Sequence, residues 1–308
     1  MTIETKDVEQ IMNEYLNYLS VIQEMSKGTI KLYRTNLKIF FEFIRSMDKF
    51  KDKEFNEEII KVIELNDLFE FLNYIKDERG NSPTSRANKI ATLRSFFKYC
   101  KDTIEIISIN PCDKLEAPKQ AKKQINYLTL EEAQLLLNSV DSRNYERDFC
   151  IITLFLNCGL RLRELCNIKL TDIKNDLLVV RGKGNKDRTV YLNESCLEAI
   201  STYKQVRKES ESTYLFLSER GNPICNMQVE NIVRKSVKNA GLDETKYTPH
   251  KLRHTAATLL HKYGDVDIRT LQKILGHKNI ATTTIYTHVD DESIRKAVKA
   301  NPLNKGKN

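Results

Sequence analysis

Residues 145–165 read YERDFCIITLFLNCGLRLREL, and this stretch predicts a long apolar helix that a glycine ends. The helix is expected over about 145–157, and Gly159 after it suits the left-handed turn at helix C-termini. Arg161 follows at the start of another helix, where its guanidinium and the positive helix N-terminus would both favour an anion. The alternative is a surface arginine paired with Glu164, and this motif alone favours that alternative.

A short β-hairpin is predicted downstream of this stretch. Leu177–Arg181 and Thr189–Leu192 are short apolar runs, and the turn RGKGNKDR connects them. The turn does not match a nucleotide-binding P-loop, because Gly184 follows Lys183 where serine or threonine is required. Lys183 could reach into a groove from the turn, and a polar turn without a function is an equal alternative.

The rest of the second half predicts helices. A capping box of Thr129 and Glu132 opens the first of them. The others are expected over about 194–208, 227–240, 249–263, 268–275 and 281–287. This part of the chain is therefore expected to be mostly α-helical, with one small β element.

Three short motifs in these helices carry polar residues. HKLRH places His250 and Arg253 three residues apart on one helical face, where both could address one anion. A zinc site of the HExxH type needs a glutamate after the first histidine, and Lys251 stands there instead. LGH contains His277 and IYTH contains Tyr286, and a lone histidine or tyrosine is more often structural than catalytic.

The first hundred residues predict four helices, which carry two basic sides. They are expected over about 8–21, 26–47 and 66–76, and from Pro83 onward. The basic sides lie on the second and fourth helices and comprise Lys27, Lys31, Arg34 and Lys38, then Arg86, Lys89, Arg94 and Lys98. One basic stripe is usually a solvated surface, whereas two in one small domain favour contact with phosphates.

Composition sets the limits of these interpretations. A chain of 308 residues with 40% hydrophobic residues predicts two domains, each with a core. Its 50 basic and 42 acidic residues give a net charge of +8, which permits a polyanionic partner. Seven cysteines without a CxxC pair favour neither a disulfide framework nor a metal site. No signal peptide or membrane span is recognised, so a reducing, cytoplasmic location without a membrane is expected.

Five motifs, CGLRLREL, GKGNKDR, HKLRH, LGH and IYTH, follow one another in this order. Their order and spacing resemble those of the tyrosine recombinases, also called the phage integrase family. Together with the chain length, they resemble the compact Xer-type members in particular. Cys158 stands where threonine is common and Asp187 where glutamate is common, and neither residue is a candidate catalytic group.

The resemblance, which covers nearly the whole chain, implies a mainly α, two-domain DNA clamp. Residues 1–104 would form a four-helix, SAM-like core-binding domain, and residues 127–290 a mostly α catalytic domain with a small antiparallel β-sheet. Residues 105–126, with two prolines and several lysines and glutamines, are interpreted as the linker. Residues 291–308 would dock on a neighbouring protomer, and a frayed basic terminus is the alternative.

The resemblance also implies the chemistry. The catalytic residues would be Arg161, Lys183, His250, Arg253, His277 and Tyr286. Tyr286 would attack the scissile phosphate and form a covalent 3′-phosphotyrosine link, while the two arginines bind the non-bridging oxygens. Lys183 would protonate the leaving 5′ oxygen, and His250 would accept the phenol proton. Neither a metal nor another cofactor is expected. The expected partners are double-stranded DNA at a specific recombination site and a homo- or hetero-tetramer.

Two alternatives use the same residue types or fold. A type IB-like topoisomerase would relax DNA as a monomer, and the compact layout and the terminal tail favour a recombinase instead. A non-catalytic DNA-binding protein would not need the complete set of candidate residues. Chromosome-dimer resolution and the integration or excision of a mobile element share one chemistry, so the sequence leaves both roles open.

Overall fold

The computed structural model describes residues 6–118, 126–181, 187–264 and 266–276. The chain divides into two units, Met1–Lys123 and Gln124–Asn308, and helices dominate both. The predicted fold class, mainly α with a small antiparallel sheet in the second half, is confirmed.

The described part of the first unit contains five α-helices, with a 3-10 turn at Asp48–Phe50. The helices are α1 (Val8–Val21), α2 (Lys27–Ser46), α3 (Glu57–Val62), α4 (Leu65–Asp77) and α5 (Pro83–Asp102). The sequence predicted all of them except α3, whose six residues are too few for a helical period to be recognised. Ser82 caps α5 by accepting a hydrogen bond from the Ser85 amide, as the Ser-Pro start signal predicts.

Aromatic side chains from α1, α2, α4 and α5 form the centre of this unit. Phe40 meets Phe71 edge-to-face at 5.1 Å and Phe97 at 6.1 Å, measured between ring centroids. The core continues beyond α5, because Cys112 and Leu115 are fully buried in it. The first part of the segment 105–126 therefore packs on the first unit, and the domain limits stay a prediction.

The second unit contains seven α-helices and three strands among its described residues. A 3-10 turn at Leu170–Asp172 precedes the first strand. In chain order the elements are α6 (Leu130–Asn138), α7 (Tyr145–Cys158), α8 (Leu162–Cys166), β1 (Ile173–Lys174), β2 (Leu177–Arg181), β3 (Asp187–Tyr191), α9 (Glu194–Val206), α10 (Asn226–Asn239), α11 (Pro249–Tyr263) and α12 (Ile268–Leu275). The predicted capping box is confirmed, since Thr129 and Glu132 exchange hydrogen bonds of 2.8 and 3.1 Å. The helix predicted over 281–287 lies outside the described residues.

The three strands form one antiparallel sheet in the order β1-β2-β3. Val180 pairs with Arg188, and Leu178 pairs with Val190. Directly paired residues lie on the same face of a sheet, and on this face Leu178, Val180 and Val190 are buried. Arg188 thus lies on the face that covers the core. The sequence missed β1 because it has only two residues.

Helix α7 is the central element of the second unit. Its side chains from Cys150 to Phe155 are all buried, and it packs against α9 and α11. Gly159 ends the helix in the left-handed conformation, with φ at 56°. A Cβ atom there would stand 2.9 Å from Cδ2 of Leu275, the last residue of α12. Glycine therefore allows both the left-handed turn and the close approach of the two helix ends.

The cysteines are unpaired, and six of the seven are buried, as the sequence predicts for small core residues. Cys158 and Cys196 bring their sulfur atoms to 3.7 Å without a bond, and Cys225 is the exposed one. Among the described residues, no group of three or more histidine, cysteine or acidic side chains could hold a metal ion.

A helix that crosses a bilayer has to be both long and apolar. None of the helices within the described ranges meets both conditions.

Candidate active site

Arg161 is held from two sides at the start of α8. Its Nη1 donates to Oε1 of Glu164 at 2.7 Å, and its backbone amide donates to Oε2 at 2.8 Å. Its Nη2 donates to the carbonyl of Gly276 at 3.1 Å. The pairing with Glu164 that the sequence offered as an alternative is thus present. The side chain is nevertheless 41% exposed. A guanidinium has five N–H donors, so Arg161 can also bind an anion.

Arg253 belongs to α11 and is almost completely buried. Its Nη1 donates to the carbonyl of Gly159 at 2.6 Å, and its Nη2 donates to the carbonyl of Leu275 at 2.7 Å. These carbonyls belong to the C-terminal ends of α7 and α12, where a cation is favourable. Arg253 therefore joins the two helix ends that Gly159 allows to approach.

Glu164 connects the arginines. Its side chain is 2% exposed and accepts hydrogen bonds from Arg161 and Arg188, and its Oε2 lies 3.9 Å from Nη1 of Arg253. Burial alone would raise the pKa of Glu164. The hydrogen bonds and charge of Arg188, with those of Arg161, hold the pKa below its ordinary value. Glu164 is therefore an ionised carboxylate at neutral pH, shared among three guanidinium groups.

Sequence reasoning missed Arg188. This residue of β3 donates from Nη1 and Nη2 to the two carboxylate oxygens of Glu164, at 2.5 and 2.9 Å, and from Nε to the carbonyl of Ile274 at 3.3 Å. The strand pattern offered a signal, because Arg188 shares its face with Val190. A charged residue on the buried face of a strand needs a partner.

His250 lies one helical turn before Arg253 and contacts His254. The Nε2 atoms of the two histidines are 3.1 Å apart, so one ring donates and the other accepts. Burial, together with the positive charges of Arg253, Lys251 and Arg161, lowers the pKa of His250 below its ordinary value. His250 is therefore neutral at pH 7 and able to accept a proton.

The structure thus brings three of the six predicted residues into one arrangement. Arg161 and Arg253 are joined through Glu164, and His250 is their neighbour on α11. The candidate residues Lys183, His277 and Tyr286 lie outside the described residues, and their roles stay predictions.

Exposed basic residues lie on both units. On α2, all four cations of the predicted stripe (Lys27, Lys31, Arg34 and Lys38) are exposed. On α5 the picture differs, because Lys89 is buried and donates to Asn81 and Ser85, and Arg94 donates to the Leu115 carbonyl. A further basic face on α10, not singled out from the sequence, has Arg234, Lys235 and Lys238 lining an open groove.

Two protein-family profiles together match almost the whole chain. The profile described as "Phage integrase family" matches residues 126–293. The profile described as "Phage integrase, N-terminal SAM-like domain" matches residues 12–103.

Individual proteins agree with these matches. The chain is 49% identical to tyrosine recombinase XerC of Caldanaerobacter subterraneus subsp. tengcongensis, over 95% of this chain and 87% of the relative. It is 30% identical to tyrosine recombinase XerD of Listeria innocua, over 95% and 98%. The crystal structure of XerA recombinase is similar with a TM-score of 0.52 at 30% identity, over 94% and 97%. A lambda integrase dimer bound to a core site has the same fold, with a TM-score of 0.73 at 20% identity, over 91% and 94%.

Proposed function

Since the chain belongs to the phage integrase family, we propose that it cuts and rejoins DNA at a specific site through a covalent 3′-phosphotyrosine intermediate. The observation that carries the proposed chemistry is the arginine pair, Arg161 and Arg253, which one buried carboxylate holds next to a neutral histidine. This arrangement concentrates positive charge where a phosphodiester would gain negative charge during attack.

The arginines stabilise the negative charge that develops on the phosphate. Arg161 offers an exposed guanidinium to the non-bridging oxygens, and Arg253 adds its charge from the buried side. A fixed donor of this kind contributes about 2.7–4 kcal/mol of transition-state stabilisation. The two guanidinium groups take the part that a divalent cation has in other phosphoryl-transfer enzymes.

Two proton transfers accompany the exchange of bonds at phosphorus. A bond forms between Oη of Tyr286 and the phosphorus, and the phenol proton passes to His250, which its lowered pKa keeps neutral. The bond between phosphorus and the 5′ oxygen breaks, and Lys183 gives that oxygen a proton. His277 donates a hydrogen bond to the phosphate. The phosphotyrosine link retains the energy of the broken bond, so a 5′ hydroxyl of a partner strand reverses the step without ATP.

Strand exchange requires several such sites around two duplexes. Solved relatives include XerH bound to a difH substrate and a lambda integrase tetramer bound to a Holliday junction. We infer that this chain likewise binds double-stranded DNA as a homo- or hetero-tetramer, with residues 1–104 and 127–290 as its DNA-binding and catalytic domains. The segment 291–308 docks on a neighbouring protomer in this proposal.

The relatives support a proposal for the biological role. Similarity to XerC and XerD recombinases over nearly the full chain favours chromosome-dimer resolution over the movement of a mobile element. The substrate is then chromosomal DNA, and the enzyme works in the cytoplasm.

A covalent-adduct assay tests the proposed function. Incubation with fragments of the organism's own genomic DNA, followed by capture and sequencing of protein-linked fragments, identifies the target. A nicked suicide duplex of that target then traps the intermediate. We expect wild type to form the adduct and Tyr286→Phe to form none. Tyr191→Phe, which changes an exposed tyrosine of β3, is the matched control and should retain full adduct formation.

Other outcomes identify the alternatives. Relaxation of plasmids that lack the target, without recombinant product, would indicate a topoisomerase. DNA binding without any adduct would indicate a non-catalytic protein. Arg161→Ala should reduce the rate of adduct formation by about 10²–10³-fold while leaving DNA binding largely in place.

A further inference from the structure

Three arginines bind three consecutive carbonyl oxygens at the end of α12. The pairs are Arg188 with Ile274 at 3.3 Å, Arg253 with Leu275 at 2.7 Å, and Arg161 with Gly276 at 3.1 Å. The last carbonyls of a helix lack partners within the helix, and cations are favourable there. The same three guanidinium groups surround Glu164. Two of them belong to the proposed catalytic set, and the third has no role in it.

We propose that Arg188 is a positioning residue for strand cleavage: it holds Glu164, and through Glu164 it orients the guanidinium of Arg161 toward the scissile phosphate. This inference rests on the proposed function, which assigns Arg161 to the phosphate. It adds to that function a residue that itself does not touch the DNA.

The hydrogen bonds support the proposal that Arg161 depends on Glu164 for its orientation and that Glu164 depends on Arg188. Arg161 is 41% exposed, and within the described part of the chain its guanidinium donates to Glu164 and Gly276. Arg188 is only 12% exposed and binds both oxygens of Glu164 through the two ends of its fork. A bidentate bond fixes the plane of a carboxylate, which a single bond does not. The buried arginine therefore determines the direction in which Glu164 presents its oxygens to the exposed one.

The packing around Gly276 points to the same residue. Gly276 has a φ of 63°, and a Cβ atom there would lie 2.7 Å from Cδ of Arg188. The stem of Arg188 thus lies directly against the turn that precedes His277. Loss of the guanidinium would release both Glu164 and the carbonyl of Ile274, which belongs to the last turn of α12.

A lysine at position 188 tests whether the geometry of the arginine side chain matters or only its positive charge. The substitution Arg188→Lys keeps the positive charge, but an ammonium group cannot form the two parallel bonds of a guanidinium fork. If Arg188 positions Glu164, the variants Arg188→Lys and Arg188→Gln should both cleave DNA slowly. If the residue only neutralised Glu164, lysine would retain the wild-type rate.

The measurement is single-turnover cleavage of the suicide duplex at saturating protein. Both Arg188 variants should cleave about 10²-fold more slowly, because small displacements of a catalytic group have effects of that size, with little change in Kd. Arg181→Gln is the matched control and should cleave like wild type, since Arg181 is a 56% exposed arginine of the neighbouring strand. A wild-type rate in Arg188→Lys, or a loss confined to DNA binding, would overturn the inference.

A sulfur substitution distinguishes Arg161 from Lys183 as the group on which Arg188 acts. A 5′-bridging phosphorothiolate has a thiolate leaving group, which needs no proton because thiols are far more acidic than alcohols. It should restore cleavage to Lys183→Ala and not to Arg188→Lys. Restoration of Arg188→Lys would place its effect on the hairpin that carries Lys183, contrary to the inference.

Hydrogen exchange tests the contact without any activity. In both Arg188 variants the amides of α12 should exchange faster than in wild type and in Arg181→Gln. An absence of adduct in wild type would contradict the proposed function and, with it, any role of Arg188 in cleavage, whereas adduct formation in wild type with unchanged exchange in α12 would contradict the role of Arg188 alone.

Discussion

Replacing Gly159 by alanine tests the close approach between the ends of α7 and α12. A left-handed residue with a side chain costs about 1–2 kcal/mol, and Gly159 has a φ of 56°. The new methyl group would also lie 2.9 Å from Cδ2 of Leu275 and 3.6 Å from Cβ of Ala256. Overpacking of this kind costs about 1–3 kcal/mol. We expect Gly159→Ala to lower the free energy of unfolding by about 2–5 kcal/mol in total.

Gly241→Ala provides the matched control. Gly241 has a φ of 69°, but apart from its chain neighbours no atom of the described residues lies within 4 Å of the position that its Cβ would take. Its substitution therefore carries the conformational cost alone, about 1–2 kcal/mol. The difference between the two variants measures the overpacking between the helix ends.

Urea denaturation followed by far-ultraviolet circular dichroism measures this difference. Both positions lie in the second unit, so only the transition of that unit should move. With a slope of about 1–3 kcal/mol per molar urea, the overpacking should lower the midpoint by about 1 M relative to Gly241→Ala. Because the Gly159 carbonyl holds Arg253, adduct formation should also slow in Gly159→Ala. Equal midpoints and equal rates in the two variants would contradict the predicted overpacking between the ends of α7 and α12.

Two further predictions concern DNA binding and pH. Replacing Lys31 and Lys38 of α2 by alanine should reduce the dependence of log K on log salt by about 0.9 for each phosphate that the protein no longer neutralises. Lys61→Ala should leave that slope unchanged, because Lys61 is paired with glutamates on α3; an unchanged slope in the double variant would exclude α2 from the interface. The second prediction uses subsaturating DNA, where rates report the pKa values of the free enzyme. A base must be neutral to accept a proton, and the pKa of His250 is lowered from about 6.5, so adduct formation should decline with acid only below that pH. A tenfold rise between pH 7 and 8 would show that a different base is used.

The elements that sequence reasoning located carry strong local signals. Pro249 stands in the first turn of α11, and the predicted limits of this helix, 249–263, are the observed ones. The capping box of Thr129 and Glu132 and the glycine after α7 are similarly local. The short elements α3 and β1 have too few residues for a periodic pattern, although Asn56 caps α3 by accepting a hydrogen bond from the Glu58 amide.

The candidate site was likewise predictable only in part. The motif order indicated Arg161, His250 and Arg253, because their residue types and spacing are visible along the chain. Apart from Glu164, the partners that hold them could not be recognised from the sequence. Arg188 contacts Ile274, which is 86 residues away, and Arg253 contacts Gly159, which is 94 residues away. Only the folded arrangement shows that Glu164, considered first as the partner of a surface arginine, is shared by three.

The distribution of the cysteines makes this protein suited to site-specific labelling. Six thiols are closed off from solvent, whereas Cys225 is exposed immediately before α10. A maleimide dye reacts with accessible thiols, so it should modify the native sequence at Cys225 alone. A single fluorophore can thus be introduced at the N-terminal end of the helix that carries the basic face, without removing any residue from the core. Fluorescence from that position would follow assembly on DNA in real time, with the catalytic groups unchanged.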